Sequence, residues 1–347
     1  MNRLLGIRYT AIFYFIFILL VVYRVGNHCN YNIRICKEKG SQNSSVLINE
    51  HGFLMKLRTS LVETARANFP SPHAELLLGM TIGIDKLYEL PDFKEMLRNT
   101  GTIHVVVVSG YNITLIFNYL VKFVGSKYKV GNLAVCLLGT LIYAIFSGFE
   151  PPVVRAWLMG SLASLGAYYG RNINLFGLLF FIVMLMLLFD PQYLFSLSFQ
   201  LSTLATLSLV IFSEMISSFL TATLKNKSVF VEDLSSTISA QILVWPLLSL
   251  TFGKISLVSI VVNTLILWTV PLITSIGLLY LVVSSIFTLF GTIFSVVLFI
   301  PLDIFVVIVE FFSKWRYASV DIQISTIVFV LYYLLLFLSL ELLIKRE

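Results

Sequence analysis

Seven residues define the chemistry open to this sequence: His104, Ser109, Gly110, Asn112, Arg155, Gln200 and Asn263. The densest group lies in IHVVVVSGYNITLIFNYLV, residues 103–121, where His104, the Ser109-Gly110 pair, Asn112 and Asn118 interrupt an apolar run long enough to cross a bilayer. Imidazole, hydroxyl and amide groups trade hydrogen bonds, and in hydrocarbon each must find a partner or water. Wound as one helix at ~100° per residue, His104, Asn112 and Asn118 fall within about 120° of its circumference, with Ser109 just beyond. Such a face either packs against neighbouring helices or borders water. Four consecutive valines and Gly110 are weak helix formers, so a second geometry is open: the run enters, breaks near Ser109-Gly110 and continues. Broken backbone at membrane depth is tolerated only where protein or a water-filled cavity satisfies it.

Arg155 follows a Pro-Pro turn by a few residues in FSGFEPPVVRAWLMG. It either reaches the headgroups, pairs with Glu150, or faces an interior as a fixed cation for an anion such as phosphate. Small residues follow it, Gly160, Ser161, Ala163, Ser164, Gly166 and Ala167, and favour close helix contact in each case. Gln200 is expected in the middle of a span within DPQYLFSLSFQLSTLATLSL, and Gln241, Pro246 and Asn263 are the polar or bent points of 239–271. Together these positions describe a bundle with a polar seam. The chain shows no G-x-x-x-x-G-K-[ST], H-E-x-x-H or G-x-S-x-G motif, and its four histidines are scattered, so it reads as a non-enzyme with no metal or cofactor.

The elements that must carry these residues follow from composition. The chain has 347 residues, 58% hydrophobic and only 12% charged, with a mean hydropathy of +0.92, the profile of an all-α polytopic membrane protein. Ala11–Val22, flanked by Arg3, Arg8 and Arg24, reads as a retained signal anchor (1–25) with the N-terminus inside. Residues 26–102 form an external hydrophilic insert. Its 53–69 stretch places Leu54, Leu57, Leu61 and Ala65 at helical spacing, further helices start at His73 and near Asp92, and these either lie on the membrane surface or pack on the spans below.

Further spans are expected near 103–121, 133–149, 153–169, 173–189, 194–212, 236–252, 256–284, 287–312 and 323–343, about ten in all. Pro246, Pro271 and Pro301 should kink or break them. Lys122, Lys127, Lys129, Arg171, Lys225 and Lys227 then fall inside, while Glu150 and Asp190 mark outer turns, as the positive-inside rule asks. Lys314 and Arg316 run against that trend. The net charge of +6 is consistent either with this topology or with an anionic partner. Cys29 and Cys36 share the insert, where they form a disulfide or remain thiols.

In order along the chain, these segments resemble the membrane domain of the ComEC-type competence proteins. The resemblance covers roughly residues 57–285: the stretch from Ala74 ending in an H-x-x-x-x-S-G-x-H-type motif, EPPVVRAWLMG, the Gly170-Arg171 turn, DPQYLFSLSFQLS and WPLLSLTFGKISLVSIVVNTLILWTVP. It implies that 103–347 is a channel domain of the bacterial cytoplasmic membrane, through which single-stranded DNA passes during natural transformation. His104, Ser109, Gly110, Arg155, Gln200 and Asn263 occupy matching positions. Asn112 stands where the motif commonly carries a second histidine, and an amide hydrogen-bonds but does not titrate.

Many members of that family also carry an OB-like and a metallo-β-lactamase-like domain. Here only about 50 hydrophilic residues precede the match, too few for an OB-fold, and a short form without the nuclease-like domain is expected. A DNA receptor, a cytoplasmic helicase or other ATPase and a separate nuclease are the implied partners, and the chain could also form an oligomer. The alternatives to a DNA channel are a secondary transporter of a small solute and a structural membrane scaffold.

Overall fold

The computed structural model describes Tyr23 and residues 52–106, 108–125, 129–224, 229–322 and 324–344. The signal anchor, apart from Tyr23, and the pair Cys29 and Cys36 lie outside the described residues.

The described chain is all-helical except for one short ribbon. In order, the helices are α1 (Gly52–Asn68), α2 (His73–Ile82), α3 (Pro91–Asn99), α4 (Ile103–Val106), α5 (Gly110–Val124), α6 (Val130–Phe146), α7 (Pro151–Tyr168), α8 (Leu175–Phe189), α9 (Leu197–Leu224) and α10 (Val229–Phe252). Strand β1 (Lys254–Ser256) comes next, then α11 (Ser259–Ile266), α12 (Thr269–Ile286), α13 (Thr288–Ser313), strand β2 (Ser319–Asp321) and α14 (Thr326–Ile344).

Every run expected to be apolar and helical from residue 133 onward forms helix. Length separates them. Among the described residues three helices are long and apolar enough to cross a membrane, Leu197–Thr223, Val231–Phe252 and Gly291–Ser313, and the bent pair Ser259–Ile266 with Thr269–Ser285 makes a fourth if counted as one span. At 1.5 Å per residue the 15 residues of α8 reach only about 22 Å, short of the ~30 Å hydrocarbon core.

The chain forms two compact units, Met1–Leu57 with Val108–Thr203, and Arg58–Val107 with Leu204–Glu347. In the first, α5 packs on α6 and α7, and α7 packs on α8. Local chemistry sets the helix starts. Pro151 and Pro152 fill the first two positions of α7, where a missing amide is harmless. Asn174 caps α8, its side chain accepting from the amides of Phe176 (3.0 Å) and Gly177 (3.4 Å). Leu178, Ile182, Met186, Leu187 and Phe199 form the buried core of this unit, with Val154, Leu158 and Leu162 packed against it.

In the second unit, α2 packs against both α12 and α13. All ten of its residues are buried. Of the two arrangements open to the insert's helices, this one packs on other helices rather than lying on a surface. Gly277 of α12 permits the approach, since a Cβ there would stand 2.6 Å from Leu77 Cδ1 and 2.7 Å from Thr81 Cγ2. Amphipathic α1 and α3 bury Leu61 and Ala65, and Phe93 and Leu97.

The fully buried Tyr280 donates its hydroxyl to the Thr64 carbonyl (3.1 Å) and accepts from Asn68 Nδ2 (3.0 Å). Strands β1 and β2 pair antiparallel, Ile255 opposite Val320. Lys254 Nζ meets Glu95 Oε1 at 2.6 Å and ties β1 to α3.

Of the three prolines expected to kink or break spans, one lies beside a bend and two lie inside continuous helices. Pro246 lies inside α10 and Pro301 inside α13, while Pro271 occupies the first turn of α12 just past the 45° bend that follows α11. Pro246 has no amide for the Ile242 carbonyl four residues earlier. That carbonyl instead accepts from Tyr332 Oη of α14 at 3.0 Å, and the Leu243 carbonyl accepts from Tyr333 Oη at 2.6 Å. A neighbouring helix thus supplies what the proline removes.

Candidate functional site

The run 103–121 is not one helix. It makes the four-residue α4, leaves helix, and resumes at Gly110 after Ser109 in extended backbone (φ −104°, ψ 164°). The second of the two geometries open to it is therefore the one it adopts, and the single polar face of a continuous helix is not formed. His104 is exposed on α4, in the second unit, and hydrogen-bonds the backbone of Gly101. Asn118 is exposed on α5. The break separates residues that a continuous helix would have aligned.

What the first unit brings together is the start of α5 and the first turns of α7. Gly110 makes the contact: a Cβ there would lie 2.8 Å from Ala156 Cβ, closer than a side chain can approach, and in ordinary contact, 3.5 Å, with the Pro152 carbonyl oxygen. The same point is 3.8 Å from Arg155 Nη2. Ser109 occupies the N-cap of α5 and makes no capping hydrogen bond with its side chain. Asn112, 2% exposed, hydrogen-bonds Tyr143 of α6.

Arg155 is 8% exposed, and its Nε and Nη1 are buried with no hydrogen-bond partner among the described residues. Neither headgroup snorkelling nor pairing with Glu150 describes it. The interior placement, the third option for this residue, is the one found. A buried guanidinium with unmet donors is costly in any apolar protein interior, and beside the positive end of a helix more so.

Gln200 departs from its expected place at mid-span. It lies in the first turn of α9, and its Nε2 donates to the Leu194 carbonyl at 2.7 Å, closing the 3-10 turn Pro191–Phe195. This is a local capping role, set by the Asp190-Pro191 turn that starts the helix later than hydropathy alone implies. In the second unit Asn263 is 3% exposed on α11, its Oδ1 without a partner among the described residues, and Ser259 Oγ donates to Gln241 Oε1 at 3.3 Å.

Two further polar groups are passed over by the sequence reading. His73 Nε2 lies 3.2 Å from Asp303 Oδ1, and its ring stacks on Phe299 at 4.9 Å. Asp303, a carboxylate within an apolar run, was the signal available for it. Arg66 bridges Glu75 (3.0 Å) and Glu89 (2.5 Å), and Lys86 also reaches Glu89 at 3.0 Å. The Lys86 ammonium, with the Arg66 guanidinium, holds the Glu89 carboxyl down at about 2. Among the described residues no cluster of three or more His, Cys, Asp or Glu could hold a metal ion.

Apolar helices of membrane-crossing length, a bent helix pair and buried polar groups at a helix break define a helical membrane protein. The family model described as Competence protein matches residues 77–347, and the chain belongs to that family. It is 23% identical over 248 residues to ComE operon protein 3 of Bacillus subtilis (strain 168), covering 70% of this chain and 30% of that protein. It is 31% identical over 157 residues to an uncharacterized protein of Aquifex aeolicus (strain VF5), covering 45% of this chain and 37% of that one. The chain thus spans about a third of the length of these curated relatives. No solved structure matches it significantly.

Proposed function

We propose that this protein is a multi-pass conduit of the bacterial cytoplasmic membrane that passes single-stranded DNA inward during natural transformation. The observation that carries the reading is family membership across 77–347, a region whose apolar helices break at 108–109 and between Ile266 and Thr269. Breaks of that kind suit helices that border water rather than lipid on every side. Passage needs no covalent chemistry from the chain, since a strand moves down a path of basic and polar groups without its sequence being read. A surface receptor and a cytoplasmic helicase or other ATPase are the partners this role requires.

The test is internalisation of labelled DNA by a competent bacterium lacking the gene, with and without the gene restored from a plasmid. Loss of internalised label with surface-bound label retained is expected, restored by the plasmid copy; normal internalisation in the deletion strain overturns the reading. The 45° bend between α11 and α12 supports a second reading, a secondary transporter, because broken helices also form midplane solute sites. That reading requires solute flux into vesicles holding the purified protein alone.

A further inference from the structure

We infer that the start of α5 and Arg155 together form a seat for one phosphodiester monoanion. This deepens the proposed function and rests on it for the identity of the strand.

Three observations converge within one unit. Helix α5 is 15 residues long and begins at Gly110, with Ser109 at the N-cap and its hydroxyl not used for capping. First-turn amides of such a helix point past its N-terminus and carry the positive end of the helix dipole, about half a charge. One of them, that of Asn112, is taken up by the Ser109 carbonyl at 3.2 Å. The guanidinium of Arg155 lies against this same first residue, its Nη2 3.8 Å from where a Gly110 Cβ would be. It is 8% exposed, with Nε and Nη1 buried and unpartnered.

A guanidinium has thus been packed against the first residue of a helix, at its positive end. The absence of a Cβ at Gly110 lets them come so close, because any side chain would strike Ala156. Packing of this kind is unfavourable by itself, and an anion held by amides, hydroxyl and guanidinium reverses its sign. A planar guanidinium, with its fork of donors, suits a tetrahedral phosphate better than the point charge of an ammonium would, and arginine stays charged when buried. The site reads no base. It fits the backbone phosphate of a nucleic acid strand, and the same chemistry is presented by the headgroup of an anionic lipid.

The full chain is purified into nanodiscs of phosphatidylcholine and titrated with a fluorescent 12-mer oligodeoxythymidylate and with a peptide nucleic acid of the same sequence, whose backbone is uncharged. Wild type is expected to bind the phosphodiester strand at least tenfold more tightly. R155Q should remove about tenfold of that and lower the salt slope by about one. R155K, which keeps the charge without the fork, should lose about threefold, and S109A a similar amount. A second arm measures retention of phosphatidylglycerol by the same variants in detergent. Dependence on Arg155 in the oligonucleotide arm assigns the seat to a strand, and dependence in the lipid arm alone assigns it to a headgroup. Equal affinity of wild type for charged and neutral strands, together with unchanged lipid retention in S109A and R155K, overturns the seat even if R155Q does not fold. The two readings fail separately: normal internalisation in the deletion strain removes the conduit and leaves these binding measurements standing.

Discussion

At the residue scale, the decisive fact is which polar groups in apolar surroundings have partners and which do not. Asn112 has one in Tyr143, so it serves as a buried hydrogen-bond strut between α5 and α6. Tyr143→Phe leaves the Asn112 amide unmet, and a loss of about 1–3 kcal/mol is expected. Adding Asn112→Leu should recover part of that, because an apolar pair needs no partner. Thermal unfolding of the two variants in detergent checks this, and equal melting temperatures for wild type and Tyr143→Phe would remove the strut. Gln200, likewise, is accounted for by a backbone carbonyl 2.7 Å away. Arg155 and the Asn263 Oδ1 have no such account within their own unit. The spacing of polar residues pointed to all of these positions alike; only the presence of partners sorts struts and caps from sites.

At the scale of elements, helices meet where glycine or tyrosine solves a local problem. Gly277 admits α2 against α12, and Tyr332 satisfies the carbonyl that Pro246 abandons in α10. The second device makes a reciprocal prediction. Tyr332→Phe should destabilise the protein by about 1–2 kcal/mol by leaving the Ile242 carbonyl unpaired. Pro246→Ala in the same chain should restore stability, since the new amide can close the helical bond from within. A double variant no more stable than Tyr332→Phe alone would show that the tyrosine packs rather than bonds. Helix starts were legible beforehand for a related reason. Pro151 and Pro152 act through their own dihedral angles and need no distant partner.

At the scale of the whole molecule, charge placement predicts orientation. The positive-inside rule puts Lys129 and Arg171 in cytoplasmic turns and Asp190 in an outer one, an orientation in which the 15-residue α8 crosses only where the bilayer thins around it; single cysteines in a cysteine-free background should then label asymmetrically. Lys129→Cys should react with a membrane-impermeant maleimide only in inverted vesicles, and Leu194→Cys only in intact cells. Labelling of both from one side would reverse or redraw the topology. Family membership agrees with a membrane role and covers the part of the chain that holds the described helices of membrane-crossing length.

By itself the sequence determined where most helices form, the two geometries open at Ser109-Gly110 and the positions at which polar groups enter apolar runs. Hydropathy, proline and glycine act over a few residues, so a linear reading captures them. Tertiary structure alone decided the pairings: Arg155 against Gly110, Asn112 with Tyr143, and His73 with Asp303 across 230 positions. Such contacts depend on how helix faces rotate and approach when they pack. Nothing periodic in the chain records that rotation.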